Sequence, residues 1–170
     1  MLTKWPIIFL NGLEFSFIFT LFLIYIVLNN NMILLHNLPP EIRRQLPSKS
    51  RKERKMTIAI LVIGLFFAFT YLFRFTHKYT VIDGFIEKFV YTVIHSGTIL
   101  CFFCVWDFLI IDCLGGMIML KKRWFFIPGI DPKLYLNYQF HFEGFINGIG
   151  YCLSFSLLVS FITAIILHFD

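Results

Sequence analysis

Four stretches of this chain run for about twenty residues or more with almost no charge, the length a helix needs to cross a ~30 Å hydrocarbon layer. They lie near Trp5–Leu28, Met56–Phe75, Phe89–Ile111 and Phe145–Leu167. Lipid offers a backbone no hydrogen bonds, so each stretch must satisfy its own N–H and C=O groups, as a helix does. The fold class that follows is all-α: a polytopic membrane protein, a bundle of four transmembrane helices in a single membrane domain. The composition agrees. Of the residues, 58% are hydrophobic and 15% charged, against roughly 25% charged in soluble domains. A short soluble chain cannot bury that much apolar surface in its own core. The 23 phenylalanines suit a lipid-facing surface and carry no function by themselves. The first run continues from Trp5 to Leu28 with no small-residue cleavage site after it, so it reads as a membrane helix rather than a signal peptide.

The formal net charge of +5 sits in the loops between these runs. No aromatic-basic module of the nucleic-acid-binding kind is present, so the charge reports topology. Arg43, Arg44, Lys49, Arg51, Lys52, Arg54 and Lys55 lie between helices one and two, and Lys121, Lys122, Arg123 and Lys133 between helices three and four. The opposite side carries Lys4, Arg74, Lys78 and Lys88. Eleven basic residues against four put both termini outside and both basic loops, 37–55 and 121–143, in the cytoplasm. Pro47–Lys55 is a basic anchor suited to anionic lipid headgroups, at about 1 kcal/mol per basic residue near the surface. The second loop carries Trp124-Phe125-Phe126 and then Tyr135, Tyr138, Phe140 and Phe142, an aromatic belt that favours the membrane interface.

The first loop opens with Asn37-Leu38-Pro39-Pro40-Glu41-Ile42-Arg43, where two prolines end any helix. This turn and the basic loop behind it resemble an uncharacterised group of small four-helix bacterial integral membrane proteins. The resemblance covers the turn and the helix layout, and it implies no activity.

Two features bear on packing. The third run stays apolar to Leu120, and as one straight helix Phe89–Leu120 would be about 48 Å long, more than the hydrocarbon core. Either it tilts and projects into the cytoplasm or it bends near Asp107–Gly116. Gly144, Gly148, Cys152, Ser156, Ser160 and Ala164 follow one another at intervals of four on helix four. That spacing makes a stripe of small residues that lets two backbones approach, within the bundle or across a homodimer. Helix two has a shorter version in Gly64 and Ala68.

Ionisable groups inside hydrocarbon are costly, so each is a functional candidate. Glu14 lies about ten residues into helix one, with Asn11 and Tyr25 near its face, and His95 lies at a comparable outer level on helix three. His77 and His168 stand at the outer ends of helices two and four, which completes a candidate outer site. Asp107, Asp112, His141 and Glu143 form a candidate inner site. On a straight helix three, Asp107 and Asp112 point about 120° and about 100° to opposite sides of His95. So either helix three is central or it breaks before Asp112. Just before helix four, Glu143 in a first turn suits the positive end of a helix dipole. Cys101, Cys104, Cys113 and Cys152 all fall in apolar segments; the Cys101-x-x-Cys104 pair reads as small buried hydrophobes rather than a redox motif. No phosphate loop, HExxH or GxSxG motif occurs.

Three functions are compatible with this pattern. One is transport of a proton or small cation through carboxylate and histidine stations, in a protein this small as a dimer. Another is electron transfer by a membrane haem b with His95 as one axial ligand and His77 or His168 as a second. The third is a non-catalytic subunit or regulator that contacts another membrane subunit. The orientation is checked by Ser50→Cys on a background without the four native cysteines. A membrane-impermeant maleimide is expected to label it only from the cytoplasmic side, and labelling from outside alone would reverse the topology.

Overall fold

The computed structural model describes residues 5–29, 38–79, 84–115 and 129–169. Among these residues every regular element is helical. The elements are α1 (Trp5–Asn29), a short α2 (Pro40–Arg43), α3 (Arg51–Tyr79), α4 (Phe85–Trp106), a π-helical continuation (Asp107–Gly115), a 3-10 turn (Pro132–Leu136) and α5 (Tyr138–Phe169). Four spans, Trp5–Ile26, Arg51–Lys78, Phe85–Leu114 and Tyr138–Phe169, are long and apolar enough to cross a membrane. The chain is therefore an all-α membrane protein with a four-helix bundle.

Three helices begin earlier than hydropathy predicts: α4 at Phe85 instead of Phe89, after Gly84, and two others because of a capping side chain. α3 starts at Arg51 instead of Met56. The Ser50 backbone N–H donates to Glu53 Oε2 (2.7 Å) and the Glu53 N–H donates to Ser50 Oγ (3.3 Å), a reciprocal capping box. The box offsets the cost of Arg51, Lys52, Arg54 and Lys55 at the positive end of the helix dipole. Those four side chains are exposed. Lys49 is buried; its Nζ donates to Thr57 Oγ1 (3.1 Å), and its carbonyl accepts from Arg54 Nε (3.2 Å). Burial pulls the Lys49 ammonium below its usual pKa. α5 starts at Tyr138 instead of Phe145, because Asn137 Oδ1 accepts the Phe140 N–H (3.1 Å). His141 and Glu143 consequently lie on the helix, past its first residues, and Glu143 is not at a helix start. At the far end, Lys88 Nζ donates to the Leu167 carbonyl (2.6 Å), satisfying one of the last acceptors of α5.

The core lies among α1, α3 and α4, with Phe15 at its centre. Phe15 is 1% exposed, and its ring lies within 5.2 Å of Tyr71 and 5.5 Å of Phe103, centroid to centroid. Ile8, Ala68, Leu72, Ile99, Leu100 and Val159 complete the cluster. Phenylalanines thus serve both surfaces, since Phe66 and Phe161 face outward while Phe15 is enclosed. Ile42 of α2 is fully buried, and α2 rests on the Pro132–Leu136 turn, so the two basic loops are joined. Residues 121–128, with Trp124, Phe125 and Phe126 of the expected aromatic belt, lie outside the described residues, and Tyr135, Tyr138, Phe140 and Phe142 lie within them.

α4 is central. It touches α1, α3 and α5, and its most extensive contact is with α5. The small-residue stripe explains that contact along part of its length. Ser156, Ser160 and Ala164 are buried against α4, Cys152 and Gly148 are half-buried, and Gly144 is exposed. A Cβ added at Gly97 would sit 3.3 Å from Ser156 Oγ, so the glycine lets α5 approach α4 there. The stripe therefore packs within the bundle over its outer and middle portions. Ser156→Leu is expected to lower the melting temperature in detergent sharply, because the added bulk parts α4 from α5. Gly144→Leu, into open space, is expected to leave it unchanged, and Gly148→Ala is expected to be tolerated. Equal effects of Ser156→Leu and Gly144→Leu would remove the stripe from the packing.

Candidate functional site

Asp107 closes α4, and the chain continues as a π-helix to Gly115. In a π-helix the hydrogen bonds run between residues five apart, so such residues stand nearly one above the other. Asp107 and Asp112 are five apart. On an α-helix they would point about 140° from each other. The π segment turns both toward α5, where His141 waits on the second turn. His141 Nδ1 lies 3.2 Å from Asp112 Oδ1, and Asp107 is within electrostatic reach of both Asp112 and His141. The earlier start of α5 matters equally, because it brings His141 onto a rigid helix.

Proton accounting at His141 follows from the acceptors around it. Its Nε2 lies 3.0 Å from the Tyr135 carbonyl, which can only accept, so Nε2 carries a hydrogen. Nδ1 faces a carboxyl oxygen. One proton therefore lies between them, on the imidazole with Asp112 ionised or on Asp112 with the imidazole neutral. The side chains of His141 and Asp112 are 13% and 27% exposed, so the pair is largely but not wholly enclosed. Phe108, edge-on to Phe142 and tilted against Phe145, forms an apolar flank. Trp106 Nε1 donates to Thr20 Oγ1 (3.1 Å) and ties α1 to the α-to-π junction.

Glu143 does not join this cluster. It is exposed and accepts from Gln139 Nε2 (3.1 Å). The inner constellation is thus Asp107, Asp112 and His141.

The outer candidates do not gather. Glu14 is exposed on α1 and engages the Tyr71 hydroxyl, which itself donates to the Asn11 carbonyl (2.9 Å). His95 is 1% exposed, with Nδ1 3.2 Å from Thr76 Oγ1 and its ring nearly parallel to that of Tyr91. The expected Glu14–His95 pair is not formed: Glu14 meets Tyr71, and His95 meets Thr76. His77 and His168 are exposed, each ring against a phenylalanine, Phe73 and Phe85. Among the described residues no three His, Cys, Asp or Glu side chains form a group that could hold a metal ion.

A line of hydroxyls, which sequence reading passed over on α4, runs outward between α4 and α5. Ser96 Oγ lies 2.7 Å from Ser156 Oγ and 3.1 Å from Ser160 Oγ, and Thr92 Oγ1 donates to the Ser160 carbonyl (3.4 Å). Nearer the inner cluster, Cys104 Sγ–H donates to Cys152 Sγ (3.2 Å). A usable signal was present: the stripe on helix four called for a complementary small or polar face, and Thr92, Ser96 and Cys104 share one at intervals of four and eight.

No protein-family model, curated protein or solved structure matches the chain. The cluster is checked by a double-mutant cycle on unfolding in detergent. Asp112→Asn and His141→Gln are each expected to destabilise, with a coupling on the order of 0.5–3 kcal/mol between them. Glu143→Gln is expected to show no coupling to either. Strictly additive losses for Asp112→Asn and His141→Gln would separate the pair.

Proposed function

We propose that this membrane protein takes up and releases a proton at the inner end of its bundle. Asp107, Asp112 and His141 form the binding station, and the hydroxyl seam between α4 and α5 leads outward from it. The observation that carries this reading is the π segment, which turns two carboxylates onto one histidine inside a membrane span. Ionisable groups at that depth are expensive. A packing role is already supplied by the serines and small residues farther out, and an extended π segment is uncommon except where function uses it. The shared proton between His141 and Asp112 gives the station something to release. By the positive-inside rule the station faces the cytoplasm and both termini lie outside. The exposed basic first turns of α3 suit anionic headgroups beside it.

One observation favours a partner as well. Glu14 sits near the middle of the Trp5–Ile26 span and faces out of the bundle. A carboxylate there is stabilised by donors from a second copy or another membrane subunit, which fits the dimer expected of so small a transporter.

The test is a pH gradient across proteoliposomes, followed with an internal pH-sensitive dye. Wild-type protein is expected to dissipate the gradient. Asp107→Asn and His141→Gln are expected to slow it by about a hundredfold, the scale a positioned acid or base contributes to proton transfer. Glu143→Gln is expected to have no effect. Wild-type vesicles no leakier to protons than empty ones would end the reading.

A further inference from the structure

Cysteine spacing directs attention to Cys101 and Cys104, yet the sulphur that Cys104 meets belongs to the other helix. Its Sγ lies 3.2 Å from Cys152 Sγ, across the α4–α5 interface. A disulfide needs about 2.05 Å between sulphurs, so closing the bond calls for a movement of little more than 1 Å, within the reach of side-chain torsions. The backbone leaves room for it. Gly148, one turn before Cys152, has no side chain, and a Cβ there would lie 3.9 Å from Cys104 Sγ. Both cysteines are present as free thiols.

We infer that Cys104 and Cys152 are a modification site: a dithiol that closes to an intramolecular disulfide and joins α4 to α5 one turn outside Asp107. This stands on the sulphur geometry and is independent of the proton reading.

Access and chemistry agree with it. Cys104 is buried, while Cys152 is half-buried at the edge of the interface. The oxidant that reaches Cys152 comes from the bilayer and is of low polarity, such as a lipid-soluble quinone. Thiols react as thiolates, and the Cys104 S–H, which donates to Cys152 Sγ, stabilises a thiolate that forms there. The balance is simple. Two S–H bonds break and one S–S bond forms, and the two electrons and two protons pass to the quinone, which leaves as hydroquinone. A membrane-permeant dithiol reverses the step by thiol–disulfide exchange.

The experiment uses the full chain in phosphatidylcholine nanodiscs treated with a lipid-soluble quinone. The readouts are intact mass and peptide mapping under non-reducing conditions. The expected result is the loss of two hydrogens per chain and a linked peptide pair that contains Cys104 and Cys152, reversed by a permeant dithiol. Cys104→Ala and Cys152→Ala are each expected to abolish the link. The double variant Cys101→Ala/Cys113→Ala, which keeps both sulphurs of the pair, is expected to retain it and so guards against misfolding of the single variants. A Cys101–Cys104 link, a link between chains, or two thiols still free after Cys101 and Cys113 have been oxidised would overturn the inference.

Discussion

The bundle depends on how closely α4 and α5 approach. In lipid there is no hydrophobic force to press two helices together, so contact must come from close packing and polar bonds. Gly97 facing Ser156 allows the approach, and the Ser96, Ser156 and Ser160 hydroxyls bind the two helices once they are near. α1 and α3 then close around α4 through Phe15 and its aromatic neighbours. The same contact sets the rotation of α5, and with it the direction in which His141 points.

The inner cluster adds a second condition. A tight α4–α5 interface alone would leave Asp112 turned away from α5. The change to π geometry at Asp107 corrects this, and it does so at the inner end of the span, where freed backbone groups are nearest to water. The outer half spends its polar groups on cohesion, as Thr76 with His95 and the serine seam show. The inner half places two carboxylates where cohesion would have been served better by serine or alanine. That division is what separates a structural interface from a candidate station along a single pair of helices.

Much of this was legible in the sequence. Four apolar runs announced the four spans, and the stripe from Gly144 to Ala164 announced a packed face, of which the outer and middle portions are buried. Depth was legible too, since position along a run measures it. Rotation was not. Glu14 and His95 share an outer level, yet nothing in either helix says which way it turns, and the two side chains part company. The helix starts were written in Ser50-x-x-Glu53 and in Asn137 but were obscured by the charge and aromatic content around them. The π segment has no mark in hydropathy at all, because hydropathy does not register which carbonyl an N–H chooses.

The π segment also has a consequence for how related chains are to be compared. Remove one residue between Asp107 and Gly115 and the span keeps its charge, its apolar character and nearly its length. When the lost residue lies before Asp112 and the segment closes as an α-helix, the two carboxylates stand four apart on one face; the undeleted spacing in α geometry sets them about 140° apart, and Asp112 leaves His141. Two chains with the same residues at every named position could then differ in whether the cluster exists. In an alignment of such chains, a single-residue gap at this place carries more meaning than most substitutions elsewhere, and an alignment procedure that treats it as noise discards the difference.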